Sequence, residues 1–195
     1  MKSTDLLNFP KQKLAMGPGK VLLAEPFLVE PYFKRSVVLI TENNEDGSFG
    51  LIINKPIKMT FNQALPDAPE FDTTLSLGGP VSKETLHFLH RMGDKISGSK
   101  TVSRGLYWGG DFDQIMSMMS DGALDAKDIR MFVGYAGWSA GQLESELKLN
   151  SWIIEKATAS MVFRKDPDDL WSQILYKMGE PYRKMVNFPE DPSLN

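Results

Sequence analysis

The chain has 195 residues, 42% of them hydrophobic and 24% charged, with a formal net charge of -3 and no cysteine. That length suits one domain able to bury a sizeable core, and the ordinary composition excludes disordered and fibrous classes. Without cysteine there are no disulfides, thiol nucleophiles or thiolate metal sites, and the acidic balance argues against a general nucleic-acid binder, which needs basic excess to meet phosphates. No run approaches the ~20 apolar residues of a membrane span. The opening MKSTDLLNFPKQKLAM lacks the apolar stretch of a signal peptide, so a cytoplasmic protein away from membranes is expected.

Residues 1–18 read as an N-terminal arm ending at Gly17-Pro18-Gly19, which cannot continue a regular element. Gly19-Lys20 hints at a phosphate loop, but Val21 stands where Ser or Thr should hold magnesium and Leu14 where the first glycine belongs. Residues 21–24 form a short apolar strand. Residues 36–41 (SVVLIT) are continuously apolar and β-branched, predicting a strand buried on both faces. The turn formers at 43–47 and the run 49–54 (FGLIIN) then make a hairpin, ended by Lys55-Pro56. Within 58–72, Met59, Phe61, Ala64 and Leu65 suggest one helix turn. Residues 74–77 read as a strand entering Gly78-Gly79-Pro80, a turn that brings backbone close to another strand or to a ligand.

Residues 85–91 (TLHFLHR) carry both histidines and are read as a strand, with another at 101–106. Asp111 caps a helix over 111–119. The stretch 131–154 organises the rest: a strand at 131–133, a glycine-rich turn with Gly134, Gly137 and Gly141, an amphipathic helix through Leu149, and Trp152 to Ile154. A strand at 160–163 follows. Asp166-Pro167-Asp168-Asp169 then starts a helix whose face is Leu170, Trp171, Ile174, Leu175 and Met178, stopped by Gly179. From Tyr182 to residue 195 the tail is expected to be extended.

Gly137-Trp138-Ser139-Ala140-Gly141 matches the G-x-S-x-G of a nucleophile elbow. A serine nucleophile needs a base, and the chain offers only His87 and His90, both upstream, against the order of that hydrolase fold. The competing reading makes Ser139 and Gln142 a capping box, with the Ser139 hydroxyl facing the backbone N–H of Gly141 or Gln142. His87 and His90, an odd separation on a strand, point to opposite faces, and no third ligand accompanies them, so no metal is expected. Glu144 and Lys148 form an i,i+4 pair on an exposed helix face. Gln142, Glu146, Asn150 and Trp152 form the polar and aromatic group nearest the helix start.

Together, LLAEPFL, GLIINKP, LGGPV and above all GYAGWSAGQLESEL followed by NSW resemble the AlgH/YqgE family of bacterial proteins, over about residues 19–163. The resemblance implies a single α+β domain with a coiled, partly open, mostly antiparallel sheet flanked by three to four helices. It implies no established activity, and one branch is tied to transcriptional regulation. It draws attention to Asn54, Pro56, Gly78, Gly79, Pro80, Gly134, Gly137, Trp138, Gly141, Gln142, Leu143, Glu144, Glu146 and Trp152. For Glu144 the resemblance implies more than the solvated-face reading allows, and the two readings stand side by side. Lys55 stands where the family often has arginine.

The expectation is a non-enzymatic cytosolic binding or regulatory module without cofactor or metal, its ligand-binding candidates being Asn54, Pro56, Gly78, Gly79, Pro80, Gly137, Trp138, Gln142, Glu144, Glu146 and Trp152. A protein partner or small ligand suits it better than direct DNA binding, since no recognition helix with clustered Arg and Lys is present. The alternative is a small-molecule hydrolase using Ser139 with His90 or His87.

Overall fold

The computed structural model describes residues 14–189. Of the N-terminal arm, residues 1–13 lie outside the described residues, as do residues 190–195 of the tail. Among the described residues ten strands form one sheet: β1 (Lys20–Ala24), β2 (Val37–Asn44), β3 (Gly47–Ile52), β4 (Pro56–Thr60), β5 (Thr74–Leu77), β6 (Val81–His90), β7 (Ser99–Ser103), β8 (Leu106–Gly109), β9 (Ile129–Ser139) and β10 (Trp152–Lys156). The spatial order is β10-β1-β2-β3-β9-β6-β8-β7, with β4 on β5 and β5 on β9. All pairings are antiparallel except β5 with β9. The helices are α1 (Phe61–Ala64), α2 (Phe112–Ser120), α3 (Gln142–Lys148), α4 (Ala159–Val162), α5 (Leu170–Met178) and α6 (Tyr182–Met185). This is an α+β domain with a curled sheet, as the resemblance implies, and three of the helices reach seven residues or more.

The curl can be measured. Phe49 on β3 and Trp108 on β8 are three strands apart, about 14 Å in a flat sheet, yet their ring centroids lie 4.9 Å apart. Lys100 on β7 likewise reaches Glu42 on β2. The concave face collects Val21, Leu23, Val37, Leu39, Leu51, Ile53, Leu89 and Phe132, covered by α4, α5 and α6. Trp171 of α5 donates its indole N–H to the Ala24 carbonyl at 2.8 Å. On the outer face, α3 covers Leu22, Val38, Ile40 and Ile52, while α1 and α2 cover Leu75, Phe88 and Met131. Hence β2 is buried on both faces: Val37, Val38, Leu39 and Ile40 are all fully inaccessible.

Strand β9 is the hub, pairing with β3, β5 and β6. Here the structure corrects the expected glycine-rich turn, because the chain continues as strand through Gly134 and Gly137 to Ser139. Gly134, at φ +67, is a bulge at which the side-chain alternation changes phase. Before it, Phe132 enters the concave core and Met131 the α2 side; after it, Tyr135 enters the concave side while Ala136 and Trp138 pack under α3. One strand thus serves two halves of the curl.

Other expectations need correction. Residues 101–106 are not one strand, because Arg104-Gly105, with Gly105 at φ +71, turns the chain into the β7–β8 hairpin. Residues 160–162 fall in the short helix α4 and Phe163 caps it, although the segment is apolar, since Val162 packs with α5 rather than along a strand. Met59 lies in β4, not in a helix turn; β4 pairs only with β5, and such an edge strand tolerates Pro56. Helix α5 starts at Leu170, three residues after Pro167, with no side-chain cap. The tail is helical at α6 rather than extended, burying Met185, and Phe188 stacks on Phe27 with centroids 5.3 Å apart. The strands at 21–24, 36–41 and 74–77, the β2–β3 hairpin and α2, with Asp111 capping the Gln114 N–H, lie where the sequence puts them.

Candidate functional site

The candidate residues divide into four groups. Asn54 is buried and structural in its contacts: Oδ1 accepts from the Val37 N–H at 2.7 Å and Nδ2 donates to the Arg35 carbonyl at 3.0 Å. It fastens the chain leaving β3 to the start of β2. Pro56 is exposed at the start of β4. Gly78 and Gly79 lie against β9 so closely that a Cβ on either would stand 2.1 Å from the backbone of Gly134 or Tyr135. Their absent side chains let two backbones touch, the Gly78 N–H donating to the Val133 carbonyl. Pro80 leads from this contact into β6.

At the far end of β9, Glu146 of α3 gathers three donors. Its Oε2 accepts the indole N–H of Trp138 at 2.9 Å and of Trp152 at 2.7 Å, and its Oε1 accepts from Gln142 Nε2 at 3.0 Å. The two indoles meet edge to face at 5.9 Å, with Phe33 against both. The helix closes one turn later: Asn150, in the left-handed conformation, donates its N–H to the Leu147 carbonyl and the Ser151 N–H reaches the Glu146 carbonyl. Glu146 and Trp152 therefore form a clasp between α3, β9 and β10, with Gln142 bracing it. Glu144 stands exposed on the other side of α3.

Ser139 is not the cap the sequence suggests. The helix N-cap is Gly141, at φ +74 with no side-chain acceptor, and the Ser139 hydroxyl donates to Gln142 Oε1 at 3.1 Å. Half of the box survives, since the Ser139 N–H also reaches Gln142 Oε1 at 3.1 Å. The register separates Ser139 from both histidines. His90 pairs with Ile129 and His87 with Phe132, so at roughly 3.3 Å per residue they lie about 30 Å and 20 Å back along β9.

His90 is fully buried: Nδ1 accepts the Met92 N–H at 3.2 Å, and Nε2 lies 3.1 Å from both the Gly109 carbonyl and the Ser99 hydroxyl. These contacts fit the neutral ring protonated at Nε2. Burial pushes its pKa below the ordinary 6.5, against an opposing pull from the Gly109 carbonyl. His87 is half-buried, its pKa also lowered by burial, and bonds Thr85 Oγ1 at 3.0 Å.

What the fold does assemble is a groove of about 400 Å³ between the β2–β3 hairpin, Val81 and the second half of β9. Of the candidates, Gly137 and Trp138 line it. Phe49 and Tyr135 are stacked there at 4.4 Å, and Phe49 continues the aromatic surface to His87 and Trp108. Glu42 and Asp46 supply carboxylates, Glu42 being held by Lys100, and Gly137 leaves backbone open. Phe49 and Tyr135 were not singled out by sequence reasoning. The signal for Tyr135 is the alternation on β9, hidden when its glycines read as a turn, while Phe49 on β3 joins it only through the β3–β9 register. Among the described residues no group of His, Asp and Glu could hold a metal ion.

Comparison with known proteins agrees with this architecture. The chain is 43% identical to a UPF0301 protein of Chlorobaculum tepidum over 180 residues, spanning 92% of this chain and 96% of that one. It is 41% identical to a UPF0301 protein of Cytophaga hutchinsonii over 178 residues, spanning 91% and 98%. Among solved structures, protein DIP2367 of Corynebacterium diphtheriae superposes with a TM-score of 0.78 at 22% identity, covering 96% of this chain and all of that one, a likeness of fold. The AlgH protein of Pseudomonas aeruginosa superposes with a TM-score of 0.71 at 26% identity, covering 91% and 98%. With residues 21–183 matching the pattern of DUF179, AlgH-like, the chain belongs to the AlgH-like family.

Proposed function

We propose that this protein is a cytoplasmic binding module that acts by holding a partner rather than by chemistry of its own. The observation that carries the reading is the groove in which the Phe49–Tyr135 stack meets the carboxylates of Glu42 and Asp46. An aromatic surface beside carboxylates suits a ligand with an apolar stem and a cationic end, such as an arginine- or lysine-bearing segment of a partner protein. The same carboxylates repel nucleic-acid phosphates, so any part in transcriptional regulation would run through protein contacts rather than duplex binding. A serine hydrolase gains no support here, because the Ser139 hydroxyl faces Gln142 and its candidate bases lie far along the strand.

The test is an amide NMR titration with short arginine-containing peptides. Shifts should concentrate at Gly47, Ser48 and Gly137 and weaken about tenfold in Asp46→Lys, the scale of one charge-assisted contact. Shifts elsewhere, unchanged affinity in Asp46→Lys, or salt-sensitive binding to duplex DNA would overturn the reading.

A further inference from the structure

A second cavity, of about 430 Å³, opens on the opposite half of the sheet where β4, β5 and the start of β9 meet the segment before α5. Its lining includes Lys127, Arg130, Arg164 and Lys165 with the hydroxyl residues Thr74 and Ser76, and no carboxylate. Asp125 and Asp169, which pair with Lys127 and Arg164, are not among the lining residues. Arg130 is half-buried there. Its Nη1 donates to the Ile53 carbonyl at 3.0 Å and the Val162 carbonyl at 2.8 Å, and its Nη2 to the Ser76 hydroxyl at 2.5 Å. A guanidinium has five N–H donors, so among the described residues one Nη2–H and the Nε–H stay uncommitted. Among the described residues its partners are these neutral acceptors and the face of Phe132, 5.2 Å from the guanidinium carbon, and loss of water draws its pKa down to about 10. The buried Nε–H of Arg164 has no acceptor among the described residues.

A cation taken out of water without a carboxylate is an unbalanced charge, and an anion in the cleft would balance it. We propose that this cleft binds a phosphate-bearing small molecule, the phosphate set between Arg130 and Lys165 with Arg164 and Lys127 at its sides, independently of the aromatic groove. Arg130 supplies directional donors, while Lys165, exposed and without an ion pair among the described residues, supplies a mobile charge. The volume falls within the roughly 300–1,000 Å³ range of small-molecule sites, too confined for a duplex.

The test is calorimetric titration of the full chain with inorganic phosphate and with glucose 6-phosphate, against sodium chloride at matched ionic strength and glucose alone. The expected result is saturable one-site binding of both phosphate compounds, weakened about tenfold or more in Lys165→Glu, the scale of one charge-assisted contact. Arg130→Lys, which keeps the charge and loses the fork, should weaken it as well; if that variant fails to fold, Lys165→Glu decides alone. No saturable heat, the same heat with chloride or glucose, or wild-type affinity in Lys165→Glu would each overturn the proposal.

Discussion

Replacing Glu146 by alanine removes one carboxylate oxygen on which two buried indoles depend. Trp138 is 6% exposed and Trp152 2% exposed, and both donate their N–H to Glu146 Oε2. Each N–H stranded in the interior costs about 1–3 kcal/mol, and bonds to an ionised acceptor lie toward the upper end. Water reaching the trimmed edge of α3 offsets part of this, so Glu146→Ala should cost about 3–4 kcal/mol, a large fraction of a typical domain's stability. Glu146→Gln keeps an oxygen able to accept from both indoles but presents its amide N–H₂ to Gln142 Nε2, another donor; a loss of about 1–2 kcal/mol follows. Urea unfolding followed by tryptophan fluorescence measures both variants, with a red shift of native emission in the alanine variant. A loss below about 0.5 kcal/mol for Glu146→Ala, the level of an ordinary surface substitution, would refute the clasp as a support of the fold.

Gly134→Ala should unfold the protein or cost more than about 2 kcal/mol, since the added Cβ would stand 2.7 Å from the Gly79 carbonyl and 2.8 Å from that of Val81 in a left-handed conformation; circular dichroism melting decides it. Ser139→Ala should change stability by less than about 0.5 kcal/mol, because its exposed hydroxyl only meets Gln142 Oε1; the wild type should take up no fluorophosphonate label, and labelling lost in the variant would reverse the functional reading. His90 and His87 have folded-state pKa values below the ordinary 6.5, so the unfolded chain binds more protons as pH falls through that value. Stability is then full above about pH 6.5 and declines as pH falls toward the folded-state pKa values. Urea midpoints that rise between pH 7 and 5.5 would contradict this sign.

Local order left clear marks in the sequence. The continuous apolar run over 36–41 demanded burial on both faces, the turn formers at 43–47 demanded a hairpin, and Asp111 with Gln114 marked the start of α2; each depends on contacts within a few residues. The GYAGW block stands at the centre of the sheet, but its glycines, which read as a turn in the sequence, lie within a strand. Gly134 bends a strand instead of ending it, a choice set by β3, β5 and β6 all pairing with β9 from distant parts of the chain. Asn54, Gly78 and Gly79 were visible as special positions, yet only tertiary packing showed that their contacts are with backbone. Phe49 and Tyr135 become one surface through strand register and curl. Arg130 meets Ile53, Ser76 and Val162 across separations of 77, 54 and 32 residues, and no local pattern encodes such a meeting. Sequence alone determined the strands at 21–24, 36–41 and 74–77, the β2–β3 hairpin and the cap of α2, whose signals are local. The curl of the sheet, the groove and the basic cleft were decided only when β9 brought three strands together, because burial and charge balance belong to the assembled surface.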